Sequence, residues 1–261
     1  MDLETQRALG AINRRFYSAR AEEFSATREH AWPGWERVLA AIPRSSASPS
    51  QPLRVLDLGC GNGRFARFLR MRCQASLEYH GIDESRGLLE IAECAMAGTG
   101  GSWRFDRLDL CEPAVEHALP QQSFDLVSLF GLLHHLPGFS TRRAVVAAAC
   151  ARLAPGGLLA ATLWRLDRDE RVASRILSWS RYNASAPEPI DESRLEPGDC
   201  LLPWGSSDGP PRYCHLIDAA EAALLFAGLP LAAVDSFDSD GPHDRSNRYH
   251  VFRSSSTEPT H

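Results

Sequence analysis

The chain contains no lysine, and all 28 of its positively charged side chains are arginines. Its 33 acidic residues give a formal net charge of −5, so no overall positive field attracts the protein to nucleic acid. A nucleic acid substrate would have to be held by local basic patches instead. Arginine presents a planar fork of donors, which suits the recognition of carboxylates and phosphates.

Closely spaced cysteine pairs are also missing, because the seven cysteines are scattered and form no CxxC motif. A zinc site or a disulfide framework is therefore not expected, and a reducing compartment is favoured. The first ten residues, MDLETQRALG, are acidic and polar, unlike a signal peptide. These features predict a cytoplasmic protein without a bound metal.

Long apolar runs are absent as well. The longest apolar region, AVVAAACARLAPGGLLAATLW, is interrupted by Arg152 and Pro155 and cannot span a bilayer. With 261 residues and 44% hydrophobic content, the chain is instead suited to one large domain with its own core.

Composition and periodicity divide the chain into segments. Residues 1–42 are predicted to form an N-terminal helical cover with two helices, and the Pro/Ser-rich residues 43–52 a linker. Residues 53–253 are predicted to form the main domain, with a long substrate loop at 165–212. Residues 254–261 are expected to be a loose tail.

Strands and helices alternate through the main domain, which indicates a parallel sheet with right-handed crossovers. FDLVSLFGLL and LLAATLW have almost no polar alternation, which is typical of strands buried on both faces. The other predicted strands are LRVLDLG, LEYHGID, SWRFDRLDL, LAAVDSFDS and NRYHVFR. The predicted helices are GRFARFLRMRC, SRGLLEIAECAM, TRRAVVAAACARLAPGG and DAAEAALLFAGL.

A glycine-rich loop, VLDLGCGNGRF, follows the first strand and opens a helix. Gly59, Gly61 and Gly63 allow a sharp turn and a close approach of a ligand to the backbone. The spacing is GxGxG rather than the GxGxxG of dinucleotide sites, and Asp57 precedes the first glycine. An adenosine ligand other than a dinucleotide is therefore indicated.

Acidic residues end the next two strands. Asp83, in GIDES, could accept both hydroxyls of a ribose at the carboxyl edge of the sheet. Asp109, in RLDL, could accept a hydrogen bond from an adenine amine. Two simpler roles stay open: Asp57 would pin the loop through backbone amides, and Glu84 would cap the following helix.

Together, VLDLGCGNG, GIDES, DLVSLFGLLHHL and LAPGGLLAATLW resemble the class I S-adenosylmethionine-dependent methyltransferases over roughly residues 50–165. The resemblance implies a Rossmann-like α/β fold with a mostly parallel seven-stranded sheet, helices on both faces, and S-adenosyl-L-methionine as cofactor. The cofactor-binding residues that it implies are Asp57, Gly59, Gly61, Asn62, Asp83, Glu84, Asp109, Leu110 and Phe130.

The segment FSATREHAWP, at residues 24–33, resembles an FSxTRxxxWP element. That element occurs in methyltransferases that esterify a carboxymethyl group on the wobble uridine (U34) of tRNA. GDCLLPWG, RYCHL and DRSNRYHVF resemble the same family, so that the resemblance spans about residues 12–253. It implies tRNA as the substrate and a small zinc-binding activator protein as a partner.

A carboxylate acceptor is chemically consistent with this resemblance. A carboxylic acid with a pKa near ~4 is already ionised at neutral pH, so it needs alignment and a cationic clamp rather than a base. Arg28, Arg212 and Arg245 are the candidate clamps, since arginine forks match carboxylates. Arg28 could instead hold the carboxylate of the cofactor, and the other two could form ordinary surface ion pairs.

Two histidines close the fourth strand. We predict that His135 contacts the acceptor as a base or hydrogen-bond donor, with a satisfied buried histidine as the alternative. With Arg28 it forms the predicted catalytic pair. His134, Tyr213 and His215 are predicted to lie near the acceptor.

Tryptophans flank the candidate site in the sequence. Trp32 and Trp35 are expected to seat the N-terminal cover over the pocket, while Trp32 and Trp204 could simply fill the core.

One Arg-rich segment, RLDRDERVASRILSWSR, could contact RNA as a helix, with Arg168, Arg171, Arg175 and Arg181 at helical spacings. Its acidic residues make a solvated helix face the simpler interpretation. The alternatives for the whole protein are a small-molecule or peptide O- or N-methyltransferase, or a catalytically silent cofactor-binding subunit.

Overall fold

The computed structural model describes residues 1–42, 51–165, 174–205 and 209–255. Its strands are β1 (Leu53–Leu58), β2 (Leu77–Asp83), β3 (Ser102–Arg107), β4 (Phe124–Leu129), β5 (Leu153–Trp164), β6 (Asp199–Pro203), β7 (Pro211–His215), β8 (Leu231–Ser239) and β9 (Asn247–Ser254). Its helices are α1 (Leu3–Ala26), α2 (Gly34–Ala41), α3 (Arg64–Arg72), α4 (Arg86–Met96), α5 (Val115–Ala118), α6 (Phe139–Cys150), α7 (Trp179–Asn183) and α8 (Ala219–Phe226).

Seven strands form one sheet in the order β3–β2–β1–β4–β5–β9–β8. The first five run parallel, and β9 is antiparallel to both β5 and β8. The predicted Rossmann-like, mostly parallel seven-stranded sheet is confirmed. Because the strand order reverses between β1 and β4, a crevice opens at their carboxyl ends.

Both faces of the central strands are buried, as their lack of polar alternation predicts. Leu56 and Val127 point to the face covered by α6 and α8, while Val55 and Leu126 point to the face covered by α2 and α3. Alternate side chains of a strand project to opposite faces, so each strand contributes to both cores.

Two predicted boundaries are wrong. The fourth strand ends at Leu129 rather than continuing through Leu133, because Gly131 has φ 67° and its amide donates to Thr162 Oγ1 at 2.8 Å. The chain then forms a short 3-10 helix, Leu133–His135. Helix α6 ends at Cys150, and the Pro-Gly step predicted to end it lies inside β5.

The N-terminal helices pack onto the sheet. Helix α1 continues to Ala26 and has one residue with non-helical backbone angles, Arg20. Helix α2 is anchored by the Gly34 amide, which donates to Asp240 Oδ1 at 3.0 Å. Trp35 is buried against Phe65.

The predicted loop 165–212 contains regular structure. Strands β6 and β7 form an antiparallel hairpin, with Cys200 opposite Cys214. The predicted Arg-rich helix is wrong for residues 174–178, which are not helical, whereas Trp179 to Arg181 do form the start of α7. Arg175 donates to the carbonyls of Pro203 and Gly205. Arg168 and Arg171 lie outside the described residues.

A buried ionic network holds the hairpin to α6 and α8. Arg142, on α6, donates to Glu196 Oε2 and to Glu221 Oε1, both at 2.7 Å. His215, on β7, contacts Asp199 Oδ1 and Glu221 Oε2, also at 2.7 Å. Glu196, Asp199 and His215 lie close enough for a metal ion, but the Arg142 cation already neutralises part of their charge.

Most of the predicted linker and tail lies outside the described residues. Within the described part, Ser254 ends β9 rather than starting the tail. None of the described helices is both long and apolar enough to traverse a bilayer.

Candidate active site

A cavity of about 740 Å³ opens at the carboxyl ends of β1, β2 and β4 and is also lined by α1 and the segment before α2. It contains all but three of the residues that the sequence predicts for the site. Those that line it are Arg28, Asp57, Gly59, Gly61, Asn62, Asp83, Glu84, Asp109, Leu110, Phe130, His134, His135 and Arg212.

The glycine loop turns sharply at the floor of the cavity. Gly59, Gly61 and Gly63 have φ values of 75°, 54° and 69°, which other residues rarely adopt. A Cβ at Gly59 would lie 3.0 Å from Leu132, whereas a Cβ at Gly61 would meet no atom within 4 Å. The backbone at Gly61 therefore faces open space, where a ligand can approach it.

Asp57 lies beneath this loop. Its carboxylate accepts hydrogen bonds from the Tyr79 hydroxyl at 2.5 Å and the Ser128 hydroxyl at 2.6 Å. Burial raises the pKa of Asp57 to about 6. The open alternative of pinning the loop through backbone amides is corrected: Asp57 instead joins β1 to β2 and β4 through side-chain bonds.

Asp83 joins the glycine loop to the end of β2. Its carboxylate accepts hydrogen bonds from the amides of Gly61 at 2.9 Å and Ser85 at 2.8 Å. Burial raises the pKa of Asp83. The Ser85 side chain, rather than Glu84, caps α4, which corrects the alternative that Glu84 is the cap.

The wall of the cavity beyond Asp83 is acidic. Arg14, on α1, donates to Asp109 Oδ2 at 3.1 Å and lies 3.7 Å from Glu84 Oε1. Burial, followed by the charge of Asp109, raises the pKa of Glu84 to about 7. Carboxylate oxygens beside the apolar Leu110 suit a ligand that carries hydroxyl and amine donors on a flat ring. This set of hydrogen-bond acceptors thus fits an adenosine.

Asn62 and Phe130 connect this floor to its surroundings. The Asn62 amide donates to the Ser25 hydroxyl on α1 at 2.9 Å. The Phe130 ring packs on Phe65 and Trp35, with centroids 4.9 and 5.7 Å apart. Trp35 is therefore part of the core, and it seats the cover as the sequence predicts.

Arg28 follows α1 and faces the cavity. Its guanidinium donates to Thr27 Oγ1 at 2.9 Å and lies 4.6 Å from the centre of the Phe24 ring. Burial, and then the charge of Arg212, lowers the pKa of Arg28. Two like charges thus act on each other inside one cavity.

Arg212, on β7, is 6% exposed and lies over the Phe16 ring at 5.2 Å. Among the described residues, neither Arg212 nor Arg28 forms an ion pair with a carboxylate. A buried cation is costly unless it is paired, so this cavity favours an anionic occupant.

The histidine pair lies beside Arg212. The two rings are 4.2 Å apart, and the buried Nδ1 of His134 has no hydrogen-bond partner in the described structure. Nδ1 of His135 is 3.1 Å from the Tyr213 carbonyl, and Nε2 is 3.1 Å from the Tyr17 hydroxyl. Burial and the charge of Arg212 lower the pKa of His135 to about 3, so the ring is neutral.

Three predicted acceptor residues do not line the cavity. The Tyr213 hydroxyl donates to Asp199, and His215 is held by the buried ionic network. Arg245 is exposed next to the lining residue Ser246. The structure therefore does not bring these three side chains into the cavity: buried carboxylates hold Tyr213 and His215, and Arg245 faces solvent.

The sequence analysis missed the contribution of α1. Gly10, Asn13, Arg14 and Tyr17 all line the cavity. They are spaced i, i+3, i+4 and i+7, which places them on one face of a helix. The sequence did contain a signal for this contribution. These four residues share one face of a helix that also buries apolar residues such as Leu9 and Ile12.

Three features together define the class I methyltransferase architecture. They are a parallel sheet whose strand order reverses, a GxGxG loop at the point of reversal, and a row of carboxylates suited to an adenosine. The comparisons agree with that class. Residues 27–192, well over half of the chain, match the methyltransferase domain family. The chain belongs to this family and is an S-adenosyl-L-methionine-dependent methyltransferase.

Three relatives show how the similarity is distributed. A predicted methyltransferase of Encephalitozoon cuniculi is 30% identical over 77% of this chain and 78% of its own. The tRNA (carboxymethyluridine(34)-5-O)-methyltransferase alkbh8 of Xenopus tropicalis is 25% identical over 72% of this chain, but over only 29% of its own. Trans-aconitate 2-methyltransferase of Streptomyces avermitilis is 32% identical over 47% of this chain and 42% of its own.

Solved structures share the fold at low identity. One comes from a complex between the Haloferax volcanii Trm112 methyltransferase activator and a methyltransferase, with a TM-score of 0.60, 15% identity, and coverage of 95% and 100% of the two chains. Another is the magnesium protoporphyrin IX methyltransferase of Synechocystis PCC 6803 with bound SAH, with a TM-score of 0.59, 13% identity, and coverage of 94% and 98%.

Proposed function

We propose that this enzyme methylates a carboxylate, and that its acceptor is the carboxymethyl group of a modified wobble uridine (U34) in tRNA. The observation that carries the proposal is the pair Arg28 and Arg212, which face the cavity without carboxylate partners in the described structure. An acceptor carboxylate would supply the missing counter-charge.

Methyl transfer to a carboxylate requires little from the protein beyond positioning of the two reactants. When bound, the cofactor supplies a methyl group on a sulfonium, and attack by a carboxylate oxygen yields a methyl ester and a neutral thioether. The acceptor is ionised at neutral pH, so no base has to remove a proton. Alignment and exclusion of water are then the main contributions of the cavity.

The residues divide into two groups in this proposal. Gly59, Gly61 and Asn62 would contact the methionine part of the cofactor, and Asp83 would accept from the ribose. Asp109 and Leu110 would flank the adenine, with Glu84 nearby, and the Phe130 backbone would lie near the sulfonium. Arg212 and His134 would face the acceptor, and Arg28 would hold a carboxylate of either the acceptor or the cofactor.

The tRNA acceptor is supported by the similarity to the Xenopus enzyme, whose name specifies carboxymethyluridine 34. The fold shared with the partner of a Trm112 activator supports a small zinc-binding activator protein as a partner. Such a partner would also supply RNA-binding surface, because the net charge of −5 gives this chain no overall attraction for RNA.

The direct test uses cofactor labelled with tritium on the methyl group. The enzyme, with and without an added activator, is incubated with bulk tRNA and with a metabolite extract. Label should enter the tRNA and be released by mild alkali, which cleaves methyl esters but not N-methyl groups. The Arg212→Met variant is the matched negative control. Label found only in metabolites would exclude the tRNA acceptor.

A small carboxylic acid is the second candidate. The alignment with trans-aconitate 2-methyltransferase favours it, as does the lack of an overall positive field. In the same assay, alkali-labile methyl groups would then appear in the metabolite fraction. A silent cofactor-binding subunit is the third candidate, and calorimetry that detects no binding of the cofactor by the chain or its complex would favour it.

We also propose that the enzyme works in the cytoplasm. All seven cysteines are free, and four of them are buried. Such thiols persist in a reducing compartment.

A further inference from the structure

Asn247, at the start of β9, lines the cavity and has no role so far in the proposed methyl transfer. It is only 5% exposed, and its amide nitrogen donates to Asp240 Oδ2 at 2.8 Å. Because a carboxylate accepts and does not donate, this bond decides which end of the amide is the oxygen. Among the described residues, the Asn247 Oδ1 atom has no hydrogen-bond partner. A nearly buried acceptor atom is thus left for an occupant of the cavity.

Asp240 fixes Asn247 to the segment before α2. Besides the Asn247 amide, its carboxylate accepts hydrogen bonds from the Tyr249 hydroxyl at 2.6 Å and from the Gly34 amide at 3.0 Å. All three bonds are buried. One carboxylate therefore holds the start of β9 against the chain that carries Trp32.

Trp32 lies two residues before Gly34 and lines the cavity, where it is half-buried. The Arg64 guanidinium lies 4.7 Å from the centre of its ring, and the Trp35 ring lies 5.4 Å away. A Cβ at Gly131 would be 3.3 Å from Cη2 of Trp32, so the indole reaches the turn after β4. Trp32 is thus held by its neighbours and contributes a rigid aromatic surface to the wall of the cavity.

Both residues lie toward the cationic end of the cavity. Asn247 is opposite Trp164 in the ladder between β5 and β9. The Trp164 ring in turn lies 4.8 Å from the His134 ring and 5.9 Å from the Arg212 guanidinium. Trp32 approaches the same end through the turn after β4. The acceptor, rather than the adenosine, would therefore meet Asn247 and Trp32.

The strand that carries Arg212 is anchored separately, by Asn13 on α1. The Asn13 amide nitrogen donates to the Tyr213 carbonyl at 3.2 Å, and its oxygen accepts from the Tyr213 amide at 2.9 Å. Arg212 and Asn247 thus project from two anchored strands, β7 and β9. The spacing between a cation and a hydrogen-bond acceptor is then set by the fold, which suits a rigid acceptor that carries an anionic group and an N–H donor.

We propose that Asn247 and Trp32 form a pocket for the base of the acceptor, in which Asn247 Oδ1 accepts the N3–H of uracil and the Trp32 indole stacks on the ring. This inference rests on the proposed carboxymethyluridine acceptor and states how its base is recognised. Cytosine has a lone pair at N3 in place of the donor, and that lone pair would face the Asn247 oxygen. Stacking on an aromatic side chain tolerates every base. Asn247 therefore selects the base, and Trp32 holds it.

The wild-type enzyme tests the selection without any mutation. Anticodon stem-loops that carry 5-carboxymethyluridine or 5-carboxymethylcytidine at the wobble position are methylated with labelled cofactor, in the presence of an activator. The two acceptors carry the same carboxylate and differ only along the pairing edge of the base. KM should be about 10- to 100-fold higher for the cytidine, the cost of leaving a buried polar atom unpaired. Equal KM values would overturn the role of Asn247.

Asn247→Leu should bring the ratio of these two KM values toward one. The matched control is Asn183→Leu, because Asn183 lies outside the lining of the cavity and its amide bonds to the backbone of Ile190 at both ends. The control should keep the wild-type ratio. A general loss of structure would lower kcat for both RNAs but would not equalise KM. An unchanged ratio in Asn247→Leu would contradict the assignment.

Trp32→Leu should raise KM about tenfold for both RNAs alike, as expected for the loss of one stacked base, and should leave the ratio and the cofactor Kd unchanged. Trp32→Phe keeps an aromatic ring and should recover most of the affinity. If Trp32→Leu has the KM of the wild-type enzyme, or if phenylalanine restores nothing, Trp32 does not stack on the base.

A binding measurement distinguishes failure of the pocket from failure of the proposed reaction. The 5-carboxymethyl derivatives of uridine and cytidine are titrated by calorimetry into the full chain saturated with S-adenosylhomocysteine. Tighter binding of the uridine without methylation of either RNA would leave the pocket standing and exclude the proposed reaction. Equal methylation of both RNAs would support the proposed acceptor and overturn the pocket. If neither nucleoside binds and neither RNA is methylated, both proposals fail.

Discussion

At the scale of single residues, the cavity separates two kinds of charge. Asp83, Glu84 and Asp109 line the part of the cavity at the ends of β2 and β3. Arg28 and Arg212 face the part next to the histidines. Mutations in the acidic part are therefore expected to affect binding of the cofactor, and mutations in the cationic part to affect binding of the acceptor.

Replacing Asp83 by Ala should weaken cofactor binding. The carboxylate orders the glycine loop through the Gly61 amide, and it is the proposed partner of the ribose. Loss of hydrogen bonds to a charged group should raise the Kd about 10- to 100-fold, measured by calorimetry. Asp106→Ala, at a residue that faces His80 and Arg104 outside the cavity, is the control and should leave the Kd unchanged. Equal affinity in both variants would contradict the ribose assignment.

Replacing Arg212 by Met keeps the length of the side chain and removes the charge. The kcat/KM for a carboxylate acceptor should fall about 10- to 100-fold, while the cofactor Kd changes little, because the acidic wall is intact. Arg37→Met removes an exposed ion pair with Asp235 and should have no effect on either quantity. A large loss of cofactor affinity in Arg212→Met would place Arg212 on the cofactor side instead.

The residues were predictable where a local motif marks them. The GxGxG loop, Asp83 and Asp109 follow strands that periodicity identifies, and they line the cavity. Tyr213 and His215 were predicted to lie near the acceptor, but their side chains do not line the cavity. Their direction is decided by Asp199 and Glu221, and no short-range pattern reports such contacts.

At the scale of elements, the sequence predicted the strands and helices more reliably than the connections between them. Apolar runs define β1, β4 and β5, since strands buried on both faces need them. The hairpin of β6 and β7 was expected as a loop, because its Gly- and Pro-rich flanks resemble irregular structure. Tertiary contacts of Cys200, Leu202 and Cys214 form a small core of its own and stabilise the hairpin.

The junction of α2 with the sheet should be intolerant of bulk. A Cβ at Gly34 would lie 2.4 Å from Cζ of Tyr249, whose hydroxyl donates to Asp240. Gly34→Ala should lower the free energy of unfolding by about 1–3 kcal/mol, the usual cost of overpacking, measured by urea denaturation. Gly100→Ala, where the nearest atom is 3.9 Å away, should change it little. Equal stability of the two variants would show that α2 can move away from β9.

At the scale of the whole molecule, the network around Arg142 joins the hairpin to the helices on one face of the sheet. Burial alone would lower the pKa of His215, but hydrogen bonds to Asp199 and Glu221 outweigh burial and raise it. A raised pKa in the folded state means that the protonated ring stabilises the fold. That contribution is complete below the unfolded pKa of ~6.5 and is lost as pH rises through the folded value.

Replacing His215 by Gln should therefore change how stability depends on pH. Wild-type protein should lose unfolding free energy as the pH rises from about 6.5 toward the alkaline range, and the variant should lose less over the same interval. Chemical denaturation at several pH values measures the difference. Parallel pH profiles for the two proteins would mean that His215 does not change its protonation between the folded and unfolded states.

The bonds between Asn13 and Tyr213 join positions 200 residues apart in the chain. During synthesis α1 is made before the packing partners of Leu9 and Ile12, because Leu201 and Tyr213 follow all five parallel strands in the chain. The part of α1 that carries Leu9 and Ile12 therefore lacks these partners until β6 and β7 have been made. A nascent chain that stops before β7 has the glycine loop but lacks the strand that fixes α1 beside it, so translation has to reach β7 before the cavity is complete.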